Sequence, residues 1–230
     1  MKLNSRLSFA FAATVVAFAL MTTPSIAQQV YPTPATNDVS GFESIFDGKT
    51  LNGWEGDEKT WRVEGGAIVG GSLDAVVPRN EFLCTTKTFG DFELKVKFKL
   101  LGDKEKANAG VQVRTKRIPK HHEVSGYQAD IGQGYWGALY DESRRNKVLA
   151  APAKDVIEKL IKHDEWNDYT IRAEGPRIRL WLNGTLTVDY TETDEKIEPT
   201  GIIGLQVHGG GKTKALYKDI TIEELPAAKR

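Results

Sequence analysis

A nine-residue stretch near the middle of the chain alternates apolar and charged residues without a break. From Phe92 to Leu100, apolar residues hold every even position and charged residues hold every odd position. Successive side chains of a β-strand point to opposite faces of its sheet, whereas a helix repeats about every 3.6 residues. The stretch therefore predicts a strand with one buried face and one exposed face.

The same two-residue period recurs along most of the chain. It is found at residues 110–115, 169–174, 177–182, 185–190, 202–208 and 216–222. Asn183-Gly184 separates two of these runs, which is the strongest short signal for a β-hairpin turn. Only Pro152 to Lys162 has helical spacing, within a long connection from Asp141 to Glu165. We predict an all-β fold, an antiparallel sandwich or barrel with one short helix.

The amino terminus has the three parts of a secretory signal peptide. Lys2 and Arg6 precede an apolar run of about 15 residues, and Ser25 and Ala27 suit a cleavage site after residue 27. A membrane anchor is the alternative, but a span needs about 20 apolar residues. We predict a signal peptide at 1–27, a flexible lead-in at 28–41 and a single domain at 42–225. The protein would be exported, periplasmic or secreted, with no membrane span after cleavage.

Charge and cysteine content exclude several classes of protein. Basic and acidic residues number 31 each, and loss of Lys2 and Arg6 with the signal leaves a net charge of about −2. This balance gives no electrostatic support for binding nucleic acid or an anionic membrane. Cys84 is the only cysteine, so the chain has no internal disulfide. Its apolar neighbours Phe82 and Leu83 indicate a buried thiol better than a catalytic one.

Three predicted strands carry an unusual polar face. An ordinary solvent face is rich in Lys and Glu, but these faces carry amide, carboxylate, guanidinium and imidazole groups, at Asn108, Gln112, Arg114, Gln128, Asp130, Gln206 and His208. Such groups suit hydrogen bonding to sugar hydroxyls. The plain alternative is a solvated sheet face. A binding face is favoured if the three strands are neighbours, because a shared site needs them on one sheet.

Residues 121–145 form the densest stretch of aromatic, glycine and titratable residues. Tyr and Trp stack on sugar rings, and glycine lets a ligand approach the backbone closely. We expect one side of the polar face to be closed by residues of this stretch, namely Tyr140, Asp141, Glu142 and Arg145. We predict no cofactor. A divalent metal is an open alternative, although the potential ligands lack tight spacing: His121, Glu123, Asp130 and His208.

Seven short motifs together resemble one family, the 3-keto-disaccharide hydrolases, over about residues 42–224. They are Phe46–Trp54, Trp61–Ile68, Asp91–Leu94, Asn108–Arg114, Glu165–Asn167, Leu182–Gly184 and Gly204–His208. The resemblance implies a concanavalin A-like jelly-roll sandwich of two antiparallel sheets. It also implies activity on glycosides that are oxidised at the sugar 3-position.

One motif departs from the family pattern. Many members resemble Gly-Tyr-Glu-x-Gln where this chain has Gly126-Tyr127-Gln128-Ala129-Asp130. This chain therefore has the amide Gln128 where the pattern has a glutamate, and the carboxylate Asp130 where the pattern has a glutamine. Two functions remain open at this point: a hydrolase or lyase that cleaves 3-keto-glycosides, and a lectin-like carbohydrate-binding module without turnover.

The residues suggest a base for the enzymatic alternative. A 3-ketone acidifies the C2 proton, so the site needs a base and hydrogen-bond donors for the enolate oxygen. Asp130 or His208 would be the base, and histidine needs less tuning of its pKa. Arg114 would orient Asp130 or donate to the ketone oxygen, unless Arg114 and Asp130 form a plain cross-strand ion pair. His208 is the preferred base. The expected partner of the protein is a carbohydrate ligand or substrate.

Overall fold

The computed structural model describes residues 41–227. The predicted signal peptide and all but the last residue of the predicted lead-in lie outside this range. Within it, no helix is both long and apolar enough to cross a membrane. The described chain is nearly all β-structure, and it confirms the predicted sandwich of two antiparallel sheets with one short helix.

The first sheet has eight strands. The strands are β1 (Glu43–Ser44), β3 (Trp61–Glu64), β4 (Ala67–Gly71), β6 (Phe92–Gly102), β11 (Asn167–Glu174), β12 (Arg177–Leu182), β13 (Thr185–Thr191) and β15 (Thr213–Glu224). Their order in the sheet is β13-β12-β11-β6-β15-β4-β3, and β1 pairs with β15.

The second sheet has seven strands: β2 (Trp54–Glu55), β5 (Glu81–Phe89), β7 (Asn108–Arg117), β8 (Val124–Gly132), β9 (Leu139–Glu142), β10 (Lys147–Ala150) and β14 (Gly201–Val207). Their order in the sheet is β10-β9-β8-β7-β14-β5-β2. The three strands with polar faces, β8, β7 and β14, are therefore direct neighbours.

The alternating stretches form the sandwich core as predicted. In β6 the even-numbered residues Phe92, Leu94, Val96 and Phe98 are buried in the main apolar cluster. The apolar residues of β7, β8 and β14 join that cluster from the other sheet, among them Val111, Ala129 and Leu205. Because side chains alternate, the polar residues that the sequence analysis singled out on these three strands, with the exception of Arg114, point away from the core. That surface is called the outer face below.

The loops follow local backbone chemistry in some places and not in others. Asn183 and Gly184 have φ values of 48° and 81°, as a two-residue hairpin turn between β12 and β13 requires. The predicted helix is confirmed as α1, Lys154–Leu160. The long connection predicted from residue 141 to 165 is wrong in its first part, because β9 and β10 pair there as a short hairpin.

Cys84 lies on the outer face in a small apolar cluster with Phe82 and Val124. Burial raises the pKa of its thiol to about 11. Little thiolate is present at neutral pH, and the thiolate is the reactive form. A disulfide reagent at pH 7 should label the native protein slowly and the urea-unfolded protein rapidly. Equal rates in the two states would show that the thiol is accessible.

Candidate functional site

Strand pairing aligns the outer-face polar residues in rows. One row joins Gln206, Gly110 and Asp130 across β14, β7 and β8. The next row joins Gly204, Gln112, Gln128 and Tyr140, and reaches β9. At the end of the same face, the backbone N–H of His208 donates to the carbonyl of Asn108 at 3.0 Å. Asp130 and His208 thus belong to one surface although 78 positions separate them in the chain.

A chain of hydrogen bonds runs along this face. Gln112 Nε2 donates to Gln128 Oε1, and Gln128 Nε2 donates to Asp130 Oδ1 at 2.6 Å. Gly110 makes room for this arrangement, since a Cβ added there would lie 2.5 Å from Gln128 Cδ. The glutamine side chain therefore lies across β7 at the one point where no side chain opposes it. All three linked side chains are buried.

Gly110→Ala should therefore destabilise the protein. The new methyl group would displace Gln128, which is fixed by hydrogen bonds on both sides, at a cost of about 1–3 kcal/mol in the free energy of unfolding. Gly90→Ala is the matched control, because its Cβ would meet nothing closer than 3.9 Å. Urea unfolding of both variants checks this. Equal stability of the two variants would mean that Gln128 moves freely.

A cleft of about 350 Å³ opens beside these rows. Six of the predicted site residues line it: Asn108, Gln128, Asp130, Tyr140, Glu142 and His208. Gln112 and Gln206 also belong to the outer face, but both side chains are fully buried and do not line the cleft. The sequence prediction missed six further wall residues, Asn80, Glu105, Lys106, Ala107, Gln133 and Tyr135. Tyr135 and Gln133 fall in the aromatic- and glycine-rich stretch that the sequence singled out, whereas Asn80 gave no signal.

Asp130 is set in the floor of the cleft as a buried carboxyl group. Burial raises the pKa of Asp130 well above its ordinary value, and the charge of Glu142 raises it further. The hydrogen bond from Gln128 acts in the opposite direction but does not reverse the shift. Burial of a carboxyl group favours its protonated form, which has a proton to donate. Asp130 is thereby better suited to donate a hydrogen bond than to accept a proton.

Glu142 is the second carboxyl group in the cleft wall. Burial, together with the nearby Glu123 carboxylate, raises its pKa to about 7. Gln206 Nε2 donates to Glu142 Oε2 at 3.3 Å and partly opposes the rise. A group with this pKa exchanges protons readily at neutral pH, as a general acid or base must.

His208 has a defined ring orientation. Its Nδ1 lies 2.8 Å from the carbonyl oxygen of Gly209. A carbonyl can only accept, so this contact favours a proton on Nδ1 and leaves the lone pair on Nε2. The neighbouring loop is held in place because Gly209 N–H donates to Asn80 Oδ1 at 3.0 Å. A histidine with this tautomer can accept a proton at Nε2.

The predicted placement of Arg114 on the polar face is wrong. Arg114 has a φ of 48°, at a β-bulge where the pairing of β7 with β8 shifts register. The bulge reverses its direction, and the guanidinium pairs with Asp91 at 2.7 Å and donates to Gly90 and Gly175 carbonyls. It contacts neither Asp130 nor the cleft, so the expected Arg114–Asp130 pair does not form.

Asp141 and Arg145 are also misplaced in the sequence prediction. Asp141 lies between Tyr140 and Glu142 in β9, so it points to the opposite face, where it is fully buried. Arg144 and Arg145 both pair with it, and Arg145 also pairs with Glu192 at 2.6 Å. This network supports β9 from behind and does not line the cleft.

The open alternative of a divalent metal gains no support from side-chain placement. Over residues 41–227, no three His, Cys, Asp or Glu side chains are grouped so that they could hold a metal ion. Glu123 instead pairs with His122 at 3.4 Å and accepts from Asn80 at 3.4 Å.

The sequence profile of the 3-keto-alpha-glucoside-1,2-lyase-like domain family matches residues 41–223. This chain belongs to that family. The match spans every residue of the cleft, and it confirms the resemblance that the seven motifs indicated. No curated protein sequence is similar enough to count as a relative of this chain.

Solved structures share the family's fold. A candidate glycosyl hydrolase from Parabacteroides distasonis is 20% identical, with a TM-score of 0.61 over 82% of this chain and 95% of that one. The carbohydrate-binding module CBM66 from Bacillus subtilis is 18% identical, with a TM-score of 0.59 over 75% and 96%. A Bacillus subtilis protein of unknown function with a galectin-like fold is 13% identical, with a TM-score of 0.54 over 86% and 97%. At these identities the likeness concerns the fold alone.

Proposed function

We propose that this protein is an exported enzyme that cleaves 3-keto-glycosides. The observation that carries the proposal is one cleft in which a histidine with a free Nε2 lone pair lies with two carboxyl groups of raised pKa. Residues that bind a sugar only through hydrogen bonds do not need perturbed pKa values, whereas acid–base catalysts do.

The reaction is an elimination followed by hydration. The ketone at C3 acidifies the proton on C2, which a base removes, and the electron pair passes to the ketone oxygen as an enolate. The enolate then re-forms the ketone as the C1–O bond breaks, and the leaving oxygen takes a proton. Addition of water across the new C1–C2 double bond gives the free 3-keto sugar. The sum is hydrolysis, while the first half alone is a lyase reaction.

Three side chains would carry these steps. His208 Nε2 removes the C2 proton. Asp130, in its protonated form, donates a hydrogen bond to the oxygen on C3, where charge develops. Glu142 gives its proton to the leaving oxygen, and Asn108, Gln128 and Tyr140 would bind the sugar hydroxyls. Residues 128 and 130 share one face and one hydrogen bond, so the carboxyl group that the pattern of many family members places at position 128 would be retained nearby.

A binding module without turnover is the second candidate. The exposed ring of Tyr135 at the cleft mouth favours it, because exposed aromatic rings stack on sugars in the absence of any chemistry. The carbohydrate-binding module CBM66 also shares the fold. Turnover separates the two candidates.

The decisive assay incubates the pure protein with 3-keto-trehalose or 3-keto-sucrose, with and without a chelator. Release of the free sugars, followed by NMR, would support the enzyme. Saturable binding without release would support the binding module. Loss of turnover with chelator would restore the metal alternative.

Export is tested separately, by comparing the cellular location of the full chain with that of a chain lacking residues 1–27.

A further inference from the structure

A second hollow of about 430 Å³ lies between α1 and the loop that joins β8 to β9. Its walls are mostly apolar, in contrast to the polar cleft. They include Trp136, Ala138, Ala151, Pro152, Ile157 and Ile161. The polar side chains at this hollow are all exposed: Gln133, Lys154, Glu158 and His163. The hollow therefore offers apolar contact but few fixed hydrogen-bonding groups.

The hollow and the cleft share a wall. Gln133 and Tyr135 line both of them. Tyr135 is 43% exposed, and its ring meets the Tyr140 ring edge-on, with centroids 6.1 Å apart. On the far side, Trp136 is held by stacking on Phe98 at 6.4 Å. A molecule seated in the cleft can thus extend past Tyr135 into the apolar hollow.

We propose that the hollow binds the leaving group of the substrate, and that this group is an apolar, aromatic aglycone. This inference rests on the proposed function. The sugar end needs the hydrogen-bonding groups of the cleft, so the other end of the substrate occupies the hollow. A second sugar would leave hydroxyl groups unpaired against Trp136, Ile157 and Ile161, which is costly. An aromatic ring would bury apolar surface there and contact Tyr135 and Trp136.

The substrate class is therefore a 3-keto-glycoside of a phenol. In the elimination step the C1–O bond breaks, its electron pair goes to the phenolic oxygen, and that oxygen takes a proton from the cleft. The neutral phenol then leaves through the hollow. No further reactant is required.

Binding is measured first with 4-nitrophenyl α-D-glucoside, which is not oxidised and is not expected to react. Ala151→Trp and Lys154→Trp fill the hollow from exposed positions on its wall. Val148→Trp is the matched control, because Val148 is exposed on β10 and does not line the hollow. Calorimetry should show about tenfold weaker binding in both filling variants, a loss of about 1.4 kcal/mol, and wild-type binding in the control. Unchanged binding in the filling variants would overturn the inference.

Turnover is measured next with the 3-keto derivatives of 4-nitrophenyl glucoside and of trehalose. The wild type should prefer the aryl substrate, and Ala151→Trp should lower kcat/KM about tenfold for it and by clearly less for the disaccharide, whose leaving sugar gains little from the apolar wall, while Val148→Trp should leave both values unchanged. An equal loss on both substrates would overturn the inference. If neither compound is cleaved while the binding result holds, the proposed function fails and the apolar subsite remains.

Discussion

His208→Ala is expected to lower kcat/KM for 3-keto-glycosides by about 10²–10⁴-fold, the range for loss of a general base. The reason is geometric, since the Gly209 carbonyl orients the ring with Nε2 free to accept the C2 proton. The His208 side chain is half-buried at the cleft wall, so its removal should leave the fold intact. Hydrogen–deuterium exchange at C2 of the substrate measures proton removal independently of product release.

One control variant and one comparison variant make this prediction specific. His121→Ala removes an exposed imidazole outside the cleft wall and should leave activity unchanged. Asp130→Asn keeps the oxygen that accepts from Gln128, and its amide can still donate to the substrate oxygen. Activity within about tenfold of wild type would fit a donor role for Asp130, whereas a loss as large as that of a general base would not. Full activity in His208→Ala would place the base elsewhere.

Glu142→Gln is expected to lower activity by about 10²–10⁴-fold and to raise stability at alkaline pH. The activity is lost because the amide cannot protonate the leaving oxygen. In the wild type, activity should fall as pH rises above about 7, where Glu142 gives up its proton. The variant's residual activity should lack this decline.

The stability change follows from proton linkage. The folded-state pKa of Glu142 is about 7, above the ordinary value of 4.5, so the folded protein binds more protons than the unfolded chain between these values. Its contribution therefore lowers stability as pH rises through this window. Above pH 7 the penalty is at most about 3 kcal/mol, and less after solvent screening. The Glu142→Gln substitution removes this penalty, and the amide oxygen of the new side chain can still accept the hydrogen bond from Gln206.

Urea unfolding at pH 4.5 and pH 8 tests this sign. The stability gain of Glu142→Gln over wild type should be small at pH 4.5 and larger at pH 8. Glu195→Gln, a change at an exposed carboxylate outside the cleft, should give no such difference. A loss of activity in Glu142→Gln with a pH-independent loss of stability would indicate a structural role.

Much of the fold could be predicted because burial imposes a period on the sequence. The alternation from Phe92 to Leu100 became β6, and Asn183-Gly184 became the β12–β13 turn. Asn108, Gln128 and Asp130 were placed on one face by the same argument, since a regular strand keeps its parity. The odd–even alternation of side chains within a strand could not show that β14 would pair with β7, because the order of strands depends on contacts between residues distant in sequence.

The misplaced residues have two physical causes. Arg114 follows the alternation of the sequence, but a bulge with positive φ turns it to the other side, and no residue type near it announces the bulge. Asp141 was grouped with Tyr140 and Glu142, although neighbours in a strand point to opposite faces. The missed wall residues Asn80, Gln133 and Tyr135 lie in loops, where no period relates sequence to direction.

The last two strands of the domain have a consequence for how the chain reaches its native state. β14 inserts between β5 and β7, and β15 lies between β6 and β4. A chain of which only the first 200 residues have emerged therefore leaves five strands, β1, β4, β5, β6 and β7, each lacking a native partner, and such unpaired edges promote association between chains. The cleft cannot assemble during synthesis of the first 200 residues, since β14 supplies Gln206 and leads into His208. Folding should begin late, be slow for its size because of these distant pairings, and benefit from a holdase chaperone.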